Sequence, residues 1–292
     1  MTQFKHLLAA TDLSAPARHA AERAARLARD LGATLDLVHV APVSPLQHLR
    51  RLAVALPPEL PQQLLDEADA ALQALAAALQ QQHGVGAGMH VAAGPLLDEI
   101  ARIGAATSAS LVVLGARGSG FIRHLLLGST AERLVSKTTR PMLVVKRSPD
   151  ASYRNVLVPV DFSAASLPAL NCARAVAPHA RLVVLHAYDA PFEGKLRQAG
   201  VDDKALKHYV LAAEQDARHQ MLELCRQAGL PQVQTLVLHG NALNHIFEQE
   251  QEQDCDLIVV GKHGENRVEE LLLGSVTRRV LAESECDVLV SV

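Results

Sequence analysis

The chain has 292 residues, enough for two domains of ordinary size, and 49% of them are hydrophobic against 20% charged. This balance is typical of a globular chain rather than a disordered one. Tryptophan is absent, aromatic residues make up 3%, and the formal net charge is −3. Nucleic-acid surfaces need aromatic platforms or basic patches, so no nucleic-acid partner is expected.

The sequence also bears on the membrane and the compartment. No apolar run approaches the roughly 20 residues that span a bilayer, and the first twelve residues have no apolar core long enough for a signal peptide. The four cysteines are scattered, with no Cys-x-x-Cys pair: Cys172, Cys225, Cys255 and Cys286. We interpret them as idle thiols in a reducing cytosol rather than a disulfide framework or a zinc site. The sequence therefore predicts a cytoplasmic protein with no membrane span and no metal site.

In the first half of the chain, short strand-like runs alternate with longer amphipathic stretches. Strands are predicted near 4–10, 35–41, 88–93, 111–115 and 141–146, and helices near 16–31, 62–82, 95–105 and 129–138. Such alternation with near-continuous apolar strands predicts a parallel sheet covered by helices on both faces. In the first helix Arg23, Arg26 and Arg29 recur at helical spacing and are expected to form a solvated face.

The second half repeats this order. The matching segments are FKHLLAATDLSAPA at 4–17 with YRNVLVPVDFSAAS at 153–166, and LDLVHVAP at 35–42 with LVVLHAYDAP at 182–191. The joint between the copies is the short polar segment 146–150, in which Pro149 stops the preceding strand. The sequence therefore predicts two domains, residues 1–147 and 152–292, each with its own sheet.

A glycine motif occurs once in each copy. Nine residues separate Gly115-Ala-Arg-Gly118 from Gly128-Ser129, and nine residues also separate Gly261-Lys-His-Gly264 from Gly274-Ser275. Each motif follows an apolar strand and leads into a helix. Glycine lets backbone N–H groups approach an anion closely, and a helix N-terminus adds unpaired donors and the positive end of the dipole. A single glycine pair usually marks a tight turn, but two copies at one spacing predict phosphate binding.

Asp12 and Asp161 end the first strand of each copy. Ligands of open parallel sheets bind beyond the carboxyl ends of the strands, where the strand order reverses. If the first and fourth strands are neighbours, each carboxylate and each glycine loop face one crevice. That arrangement suits a nucleotide, with the aspartate on the ribose hydroxyls or on a metal, although capping of the following helix is the alternative. His39 and His186, at matching places in the second strands, are expected to be satisfied, partly buried histidines.

These features resemble the universal stress protein family in its tandem two-domain form, over nearly the whole chain. The family's ATP-binding signature, Gly-x2-Gly-x9-Gly-Ser/Thr, is satisfied at 115–129 and at 261–275. The strand endings AATDLS at 9–14 and VPVDFS, which ends at Ser163, also look like those of the family. The resemblance implies two tandem flavodoxin-like α/β domains. Each would have a five-stranded parallel sheet in the order 3-2-1-4-5.

The resemblance also implies where ATP, with or without Mg²⁺, would bind. Adenine would lie near the ends of strands one and two, the ribose near the strand-one aspartate, and the phosphates on the glycine loop. Carried over by position, the first site consists of Ala10, Thr11, Asp12, Val40, Gly115, Arg117, Gly118, Gly128, Ser129 and Thr130. The second site consists of Pro159, Val160, Asp161, Ala187, Gly261, His263, Gly264, Gly274, Ser275 and Val276.

The two predicted sites differ in charge. The nine-residue spacer 119–127 contains Arg123 and no acid. The second spacer, 265–273, contains three acids and one base: Glu265, Glu269, Glu270 and Arg267. Negative charge near a triphosphate is unfavourable, and Thr130 has a hydroxyl that Val276 lacks. The first domain is therefore predicted to bind the nucleotide more tightly.

The resulting prediction is an adenine-nucleotide-binding regulator of the stress response. No catalytic triad and no Cys–His nucleophile is apparent, so no catalytic residue is predicted and enzyme activity beyond weak ATP hydrolysis is not expected. Two alternatives stay open: a nucleotide-free interaction scaffold, and a slow ATP-hydrolysing or adenylate-handling enzyme.

Members of the family commonly pair their final strands, and tandem members can do so within one chain. The final runs PMLVV at 141–145 and DVLVSV at 287–292 are apolar and would otherwise leave bare sheet edges. The resemblance therefore implies intramolecular pairing of the domains through the last strands. A further homodimer is left open.

Overall fold

The computed structural model describes residues 3–41, 57, 59–116, 128–190, 198–264 and 273–292. Two compact units are present, of which the first ends at Ser152 and the second is Tyr153–Val292. Several residues used in the sequence predictions lie outside the described ranges: Arg117, Gly118, Arg123, Glu265, Arg267, Glu269 and Glu270.

The first unit alternates strands and helices in the predicted order. Its elements are β1 His6–Ala10, α1 Ala15–Leu31, β2 Thr34–Ala41, α2 Leu60–His83, β3 Ala87–Ala93, α3 Leu96–Ala106, β4 Leu111–Gly115, α4 Ser129–Lys137 and β5 Met142–Val145. Every boundary lies within two residues of the sequence expectation.

The second unit repeats this order of elements. They are β6 Asn155–Pro159, α5 Ser166–Val176, β7 Arg181–Tyr188, α6 Asp203–Gln227, β8 Gln234–His239, α7 Ala242–Glu252, β9 Leu257–Gly261, α8 Ser275–Glu283 and β10 Asp287–Ser291.

Both sheets have the predicted strand order. The first unit pairs its strands in the order β3-β2-β1-β4-β5 and the second in the order β8-β7-β6-β9-β10, all parallel. Right-handed crossovers then place α1 and α2 on one face of the first sheet, and α3 and α4 on the other. In agreement, α1 packs against α2, and in the second unit α7 packs against α8. The flavodoxin-like prediction is confirmed.

Local sequence signals set the ends of the helices. Ser14 is the N-cap of α1, and its side chain accepts a hydrogen bond from the backbone N–H of Ala17. Gly32 ends α1 at φ 62°, and Gly84 ends α2 at φ 71°. This left-handed backbone is one that glycine adopts without a Cβ penalty, which is why both helices stop at a glycine.

The expected solvated arginine face on α1 is wrong. Arg23 is only 4% exposed, and its Nη1 donates a hydrogen bond to the carbonyl oxygen of Ala151 at 2.6 Å. Arg26 is half-buried, and only Arg29 is exposed. The three arginines do recur at helical spacing. That spacing alone cannot show that the segment beyond β5, which contains Ala151, lies over this side of the helix.

A polar cluster on the first sheet was not predicted. His6 on β1, Asp36 on β2 and His90 on β3 lie on one face, and both imidazoles contact the Asp36 carboxylate, His90 at 2.9 Å. Gly88 lies opposite Asp36, and a Cβ there would be 1.9 Å from Asp36 Oδ1. Among the residues described, no such group is arranged to hold a metal ion. The cluster therefore ties three strands together.

The four cysteines are free and buried. Burial raises the pKa of Cys172 and of Cys255 to about 12, so these thiols stay protonated and unreactive at neutral pH. Within the described ranges no helix is long and apolar enough to cross a membrane.

Candidate functional site

A cavity of about 300 Å³ opens at the carboxyl ends of β6, β7 and β9 in the second unit. Strand β6 lies between β7 and β9, so the strand order reverses at this place, where ligands of open sheets bind. The structure brings all ten residues of the second predicted site to the wall of this cavity: Pro159, Val160, Asp161, Ala187, Gly261, His263, Gly264, Gly274, Ser275 and Val276.

Two glycines of the loop are required by their protein neighbours. A Cβ at Gly261 would lie 2.7 Å from the Cβ of Ala165, which precedes α5. A Cβ at Gly264 would lie 2.6 Å from Oδ2 of Asp161. Both distances are shorter than real Cβ contacts. The aspartate and the glycine loop therefore meet as predicted, through the Asp161 carboxylate against the main chain of Gly264.

Gly274 is different, because nothing described in the protein requires a glycine there. Its backbone is ordinary, with φ −56° and ψ 149°, and its N–H donates to the Lys262 carbonyl oxygen at 3.0 Å. A Cβ would meet nothing closer than 3.6 Å, and one of the atoms at that distance is the backbone nitrogen of Gly264. A side chain at 274 would therefore cover a loop amide. This is the pattern expected where a ligand approaches the backbone.

Helix α8 begins at Ser275, as predicted, and points its N-terminus at the cavity. Gly274 is its N-cap and supplies no side-chain hydrogen bond, and the first turn contains no acid. Unpaired amide donors and the positive end of the dipole therefore meet the cavity. Thr277 Oγ1 donates to the Gly261 carbonyl oxygen at 2.7 Å and fixes this helix to the end of β9.

Asp161 does not cap the following helix. Its Oδ1 accepts hydrogen bonds from the Ser163 N–H at 3.0 Å and from Ser166 Oγ at 3.1 Å, while the N-cap of α5 is Ala165. These bonds hold the carboxylate in place with Oδ2 towards Gly264.

Asp12 makes the same turn in the first unit. Its Oδ1 accepts from the Ser14 N–H at 3.1 Å, and Ser14 rather than Asp12 is the N-cap of α1. The residue after each aspartate has a left-handed backbone, with φ 64° at Leu13 and φ 62° at Phe162. Bulky side chains rarely adopt this conformation, which costs on the order of 1 kcal/mol. Both copies thus keep the same strained turn beside the predicted site.

The first unit brings together the part of its predicted site that is described. Ala10, Thr11, Asp12, Val40 and Gly115 lie at the carboxyl ends of β1, β2 and β4, with β1 between the other two strands. The N–H of Gly128 donates to the Ala116 carbonyl oxygen at 2.8 Å, as Gly274 does to Lys262. Ser129 and Thr130 form the start of α4. Arg117 and Gly118 lie outside the described residues.

The two strand-two histidines are satisfied, as predicted. Nδ1 of His39 donates to the Thr11 carbonyl oxygen, and Nδ1 of His186 donates to the Val160 carbonyl oxygen, both at 2.9 Å. His39 is 8% exposed. Each ring therefore ties its strand to the backbone just before the aspartate, and the ring of Phe162 lies 4.1 Å from that of His186.

Sequence reasoning missed the rest of the cavity wall, which is formed by Ala165, Ser166, Leu185, Ala242, Ile246, Val260 and Thr277. Most are small or apolar, and an apolar helix residue that lines a cavity has the same sequence pattern as one that packs in a core. Asn241 caps α7, but nothing in the sequence at this junction indicates that Ala242 and Ile246 face the site.

Lys262 was also missed, although it stands inside the motif. The side chain is 5% exposed, and burial lowers its pKa. It lines a neighbouring cavity of about 250 Å³ together with His263 and Ser291. His263 lines both cavities, and among the described residues its Nε2 is buried without a hydrogen-bond partner. The first copy has Ala116 and Arg117 at these two positions.

Comparison with known proteins relates each half of the chain to one family. The universal stress protein family matches residues 3–146 and again 152–291. A universal stress protein of Thermus aquaticus is 34% identical over 139 residues, which is 47% of this chain and 97% of that protein. Universal stress protein MJ0531 of Methanocaldococcus jannaschii is 29% identical over 147 residues, 49% of this chain and 85% of that protein.

Solved structures resemble both units together. A universal stress protein from Archaeoglobus fulgidus superposes with a TM-score of 0.69 at 21% identity, covering 99% of this chain and 97% of that one. A protein from Pseudomonas aeruginosa described as a putative universal stress protein gives 0.68 at 18% identity, covering 99% and 93%. At these identities the likeness shows the fold, and the two family matches show the relationship. The chain therefore belongs to the universal stress protein family, with the family domain present twice in tandem.

Proposed function

We propose that this tandem universal stress protein binds ATP or a related adenine nucleotide and acts as a cytoplasmic regulator of the stress response. One observation carries the proposal. The ten residues chosen from the sequence for the second site all line one cavity of about 300 Å³. That volume is at the lower end of the roughly 300–1,000 Å³ of small-molecule sites.

The chemistry of the cavity wall suits each part of a nucleotide. Phosphates would meet the Gly264 amide and the N-terminus of α8, where donors and dipole favour an anion. The Asp161 carboxylate would accept hydrogen bonds from ribose hydroxyls. The apolar wall that includes Ile246 and Val260 would hold the adenine ring. Where Mg²⁺ accompanies the phosphates, Asp161 is the carboxylate of this wall that could face it.

We propose that the first domain is the tighter site. The argument is one of charge, because the first spacer contains Arg123 where the second contains three glutamates. Thr130 adds a hydroxyl at the position of Val276. Glu132 in the first turn of α4 works in the opposite direction and has no acidic counterpart in the first turn of α8.

The test is calorimetric titration of ATP with Mg²⁺ into the full chain and into Gly128→Asp and Gly274→Asp. An aspartate at either helix N-terminus would repel the phosphates. We expect two sites of unequal affinity, the tighter lost in Gly128→Asp and the weaker in Gly274→Asp. If the two sites bind ATP with equal affinity, each variant should halve the stoichiometry. That result would contradict the preference for the first domain. No binding to the wild type would contradict nucleotide binding and favour the scaffold.

Gly274→Ala is the finer variant, because it separates ligand contact from folding. Its Cβ meets no described atom closer than 3.6 Å, so thermal unfolding should be unchanged. The methyl group would nevertheless cover the Gly264 amide, and the loss of one charge-assisted hydrogen bond predicts about tenfold weaker binding at the second site. Phosphate release measured in the same samples separates a binding protein from the slow ATP-hydrolysing alternative.

We also propose that the two domains pair within one chain through β5 and β10. Each is the last strand of its own sheet and is apolar. Such a strand needs cover because an open apolar edge invites aggregation.

A further inference from the structure

The smaller cavity of the second unit, of about 250 Å³, has Lys262 in its wall, and we call it the Lys262 cavity. It is bounded by the segment between β6 and α5, by the loop after β9 and by the end of β10. His263 and Gly264 belong to its wall and also to the wall of the larger cavity. Among the described residues, those of β7 and α8 line only the larger cavity. The two cavities are therefore neighbouring but distinct spaces.

The fold does not require a lysine at position 262. The backbone N–H of Lys262 donates to the Ser291 carbonyl oxygen at 2.9 Å, and the N–H of Ala116 donates in the same way to the Val145 carbonyl oxygen at 2.8 Å. Lys262 and Ser291 therefore correspond to Ala116 and Val145. All four residues are buried. The first unit fills this place with an apolar pair, whereas the second unit has a cation and a hydroxyl group there.

A buried lysine is unfavourable unless other groups compensate its charge. Lys262 is 5% exposed, and burial lowers the pKa of its amine because the charged form has lost much of its hydration. An anion in the cavity would offset this loss. An ammonium group has three N–H donors, so it can bind a ligand in addition to a partner within the protein. Since the same fold forms with alanine in the first unit, we interpret the lysine as part of a binding site.

Other groups in the wall also favour an anion. Ala164, Ala165 and Pro168 lie at the N-terminus of α5, whose first turn contains no acid and whose N-cap supplies no side-chain hydrogen bond. Nε2 of His263 is buried without a hydrogen-bond partner in the described part of the chain. An unpaired buried nitrogen costs free energy, which a ligand beside the ring would recover. None of the described residues that line this cavity has an acidic side chain.

The balance of polar and apolar groups favours a carboxylate over a phosphate. Side-chain donors are few, because the Ser291 hydroxyl already donates to the Val260 carbonyl oxygen at 3.3 Å. Most of the wall apart from the lysine, the histidine and this serine is alanine, proline and valine. A phosphate has at least three oxygens that need donors, whereas a carboxylate has two. A short organic acid would place its carboxylate at Lys262 and its apolar part against Pro168.

We propose that the Lys262 cavity binds a small organic acid, and that Lys262 recognises its carboxylate. A volume of about 250 Å³ gives room for roughly eight water molecules, and therefore for an acid with six non-hydrogen atoms. The first unit has Ala116 in this place and so lacks the recognising cation. The proposal does not rest on the nucleotide function, because it concerns a separate cavity.

The test uses butyrate as the probe, titrated into the full chain without nucleotide at constant pH and ionic strength. Amide signals in ¹H–¹⁵N spectra locate the binding. We expect saturable shifts at Ser163, Lys262 and Ser291, with a Kd on the order of 1 mM for so small a ligand. Butanamide has a similar shape without the charge and should bind at least tenfold more weakly. Acetate lacks two methylene groups and should bind about tenfold more weakly.

Lys262→Met keeps the apolar stem of the side chain and removes its charge, so butyrate should bind at least tenfold more weakly. Lys207→Met is the matched control, because it removes an exposed lysine of α6 and should leave butyrate binding unchanged. Thermal unfolding establishes that each variant is folded. Should Lys262→Met not fold, Lys262→Ala restores the residue of the first unit, and the comparison with butanamide still decides the question on the wild type.

Each of the opposite results would overturn the proposal. Absence of a saturable shift at about 50 mM butyrate would show that the cavity holds only water. Shifts confined to residues 274–277 would place the anion at the start of α8 instead. Equal affinities for butyrate and butanamide, or an unchanged affinity in a folded Lys262 variant, would show that the lysine does not recognise the carboxylate. Tighter binding of inorganic phosphate at the same amides would contradict the choice of a carboxylate.

Discussion

Gly88 leaves the space that the Asp36 carboxylate occupies between His6 and His90. A Cβ at this position would lie 1.9 Å from Asp36 Oδ1, so Gly88→Ala must push the carboxylate away from the imidazoles. Combined overpacking and lost hydrogen bonds predict a decrease of about 1–3 kcal/mol in the free energy of unfolding. Urea denaturation followed by circular dichroism measures it.

Gly86→Ala is the matched control for that substitution. It lies in the same segment, and its Cβ would meet only the flexible end of Gln80, at 3.4 Å. Its effect should be within about 0.5 kcal/mol. Equal destabilisation by both variants would show that the chain conformation at this turn, rather than the carboxylate, requires the glycines.

Single residues differ in how far the sequence alone predicts them. The aspartates and the motif glycines could be found because each occurs in both copies, within a segment that matches between them. The partners of Asp36 could not, because a diagonal contact across three strands depends on the register of both neighbours.

At the scale of elements, the end of β9 packs closely against the start of α5 in the candidate site. Gly261→Ala would bring two Cβ atoms to 2.7 Å, and the carbonyl oxygen of Ala165 lies only 3.5 Å away. The helix must move, so we expect a loss of about 1–3 kcal/mol of stability and weaker nucleotide binding at the second site. Thermal unfolding and calorimetric titration of the same sample measure the two effects.

A substitution on the other side of the contact tests whether the clash with Ala165, rather than any change in the loop, causes the loss of stability. Ala165→Gly removes the other Cβ, and alone it should cost under about 1 kcal/mol, because Ala165 is the N-cap rather than a residue of the helix interior. The double variant should then recover most of the stability lost in Gly261→Ala. Additive losses in the double variant would mean that Gly261 is required for another reason.

Elements were predicted well because their ends have local causes. Ser14, Gly32 and Gly84 act through hydrogen bonds and backbone angles within their own turns. The residues that an element packs against are not determined by its local sequence. Arg23 has helical periodicity like an exposed residue, yet its partner is the carbonyl of Ala151, 128 positions away.

At the scale of the whole molecule, duplication lets the two halves diverge at matching positions while both keep one fold. Ala116 and Lys262 correspond, as do Arg117 and His263. Each difference lies beside a predicted nucleotide site, and none lies in the strand order. The chemistry beside the two predicted sites can therefore differ while the fold stays the same.

The proposed pairing of β5 with β10 has a direct signature in hydrogen exchange. A strand at the open edge of a sheet has alternate amides bonded to its inner neighbour, and the remaining amides exchange with water. If the two last strands pair, every amide of both strands should be protected. Light scattering at the same concentration should give the mass of one chain, 31.3 kDa. Together these two results would show that both last strands are covered by pairing within one chain.

Two outcomes would contradict the intrachain pairing, and they differ in meaning. Rapid exchange at alternate residues of β5 or β10 would show an open edge. Full protection that falls on dilution, together with a doubled mass, would show that two chains pair their last strands instead. Both strands are apolar, and an uncovered edge of this composition would aggregate. We therefore expect the last strands to pair, either within one chain or between two chains. Pairing within the chain has the advantage of a high effective concentration, since the two strands belong to one covalent chain.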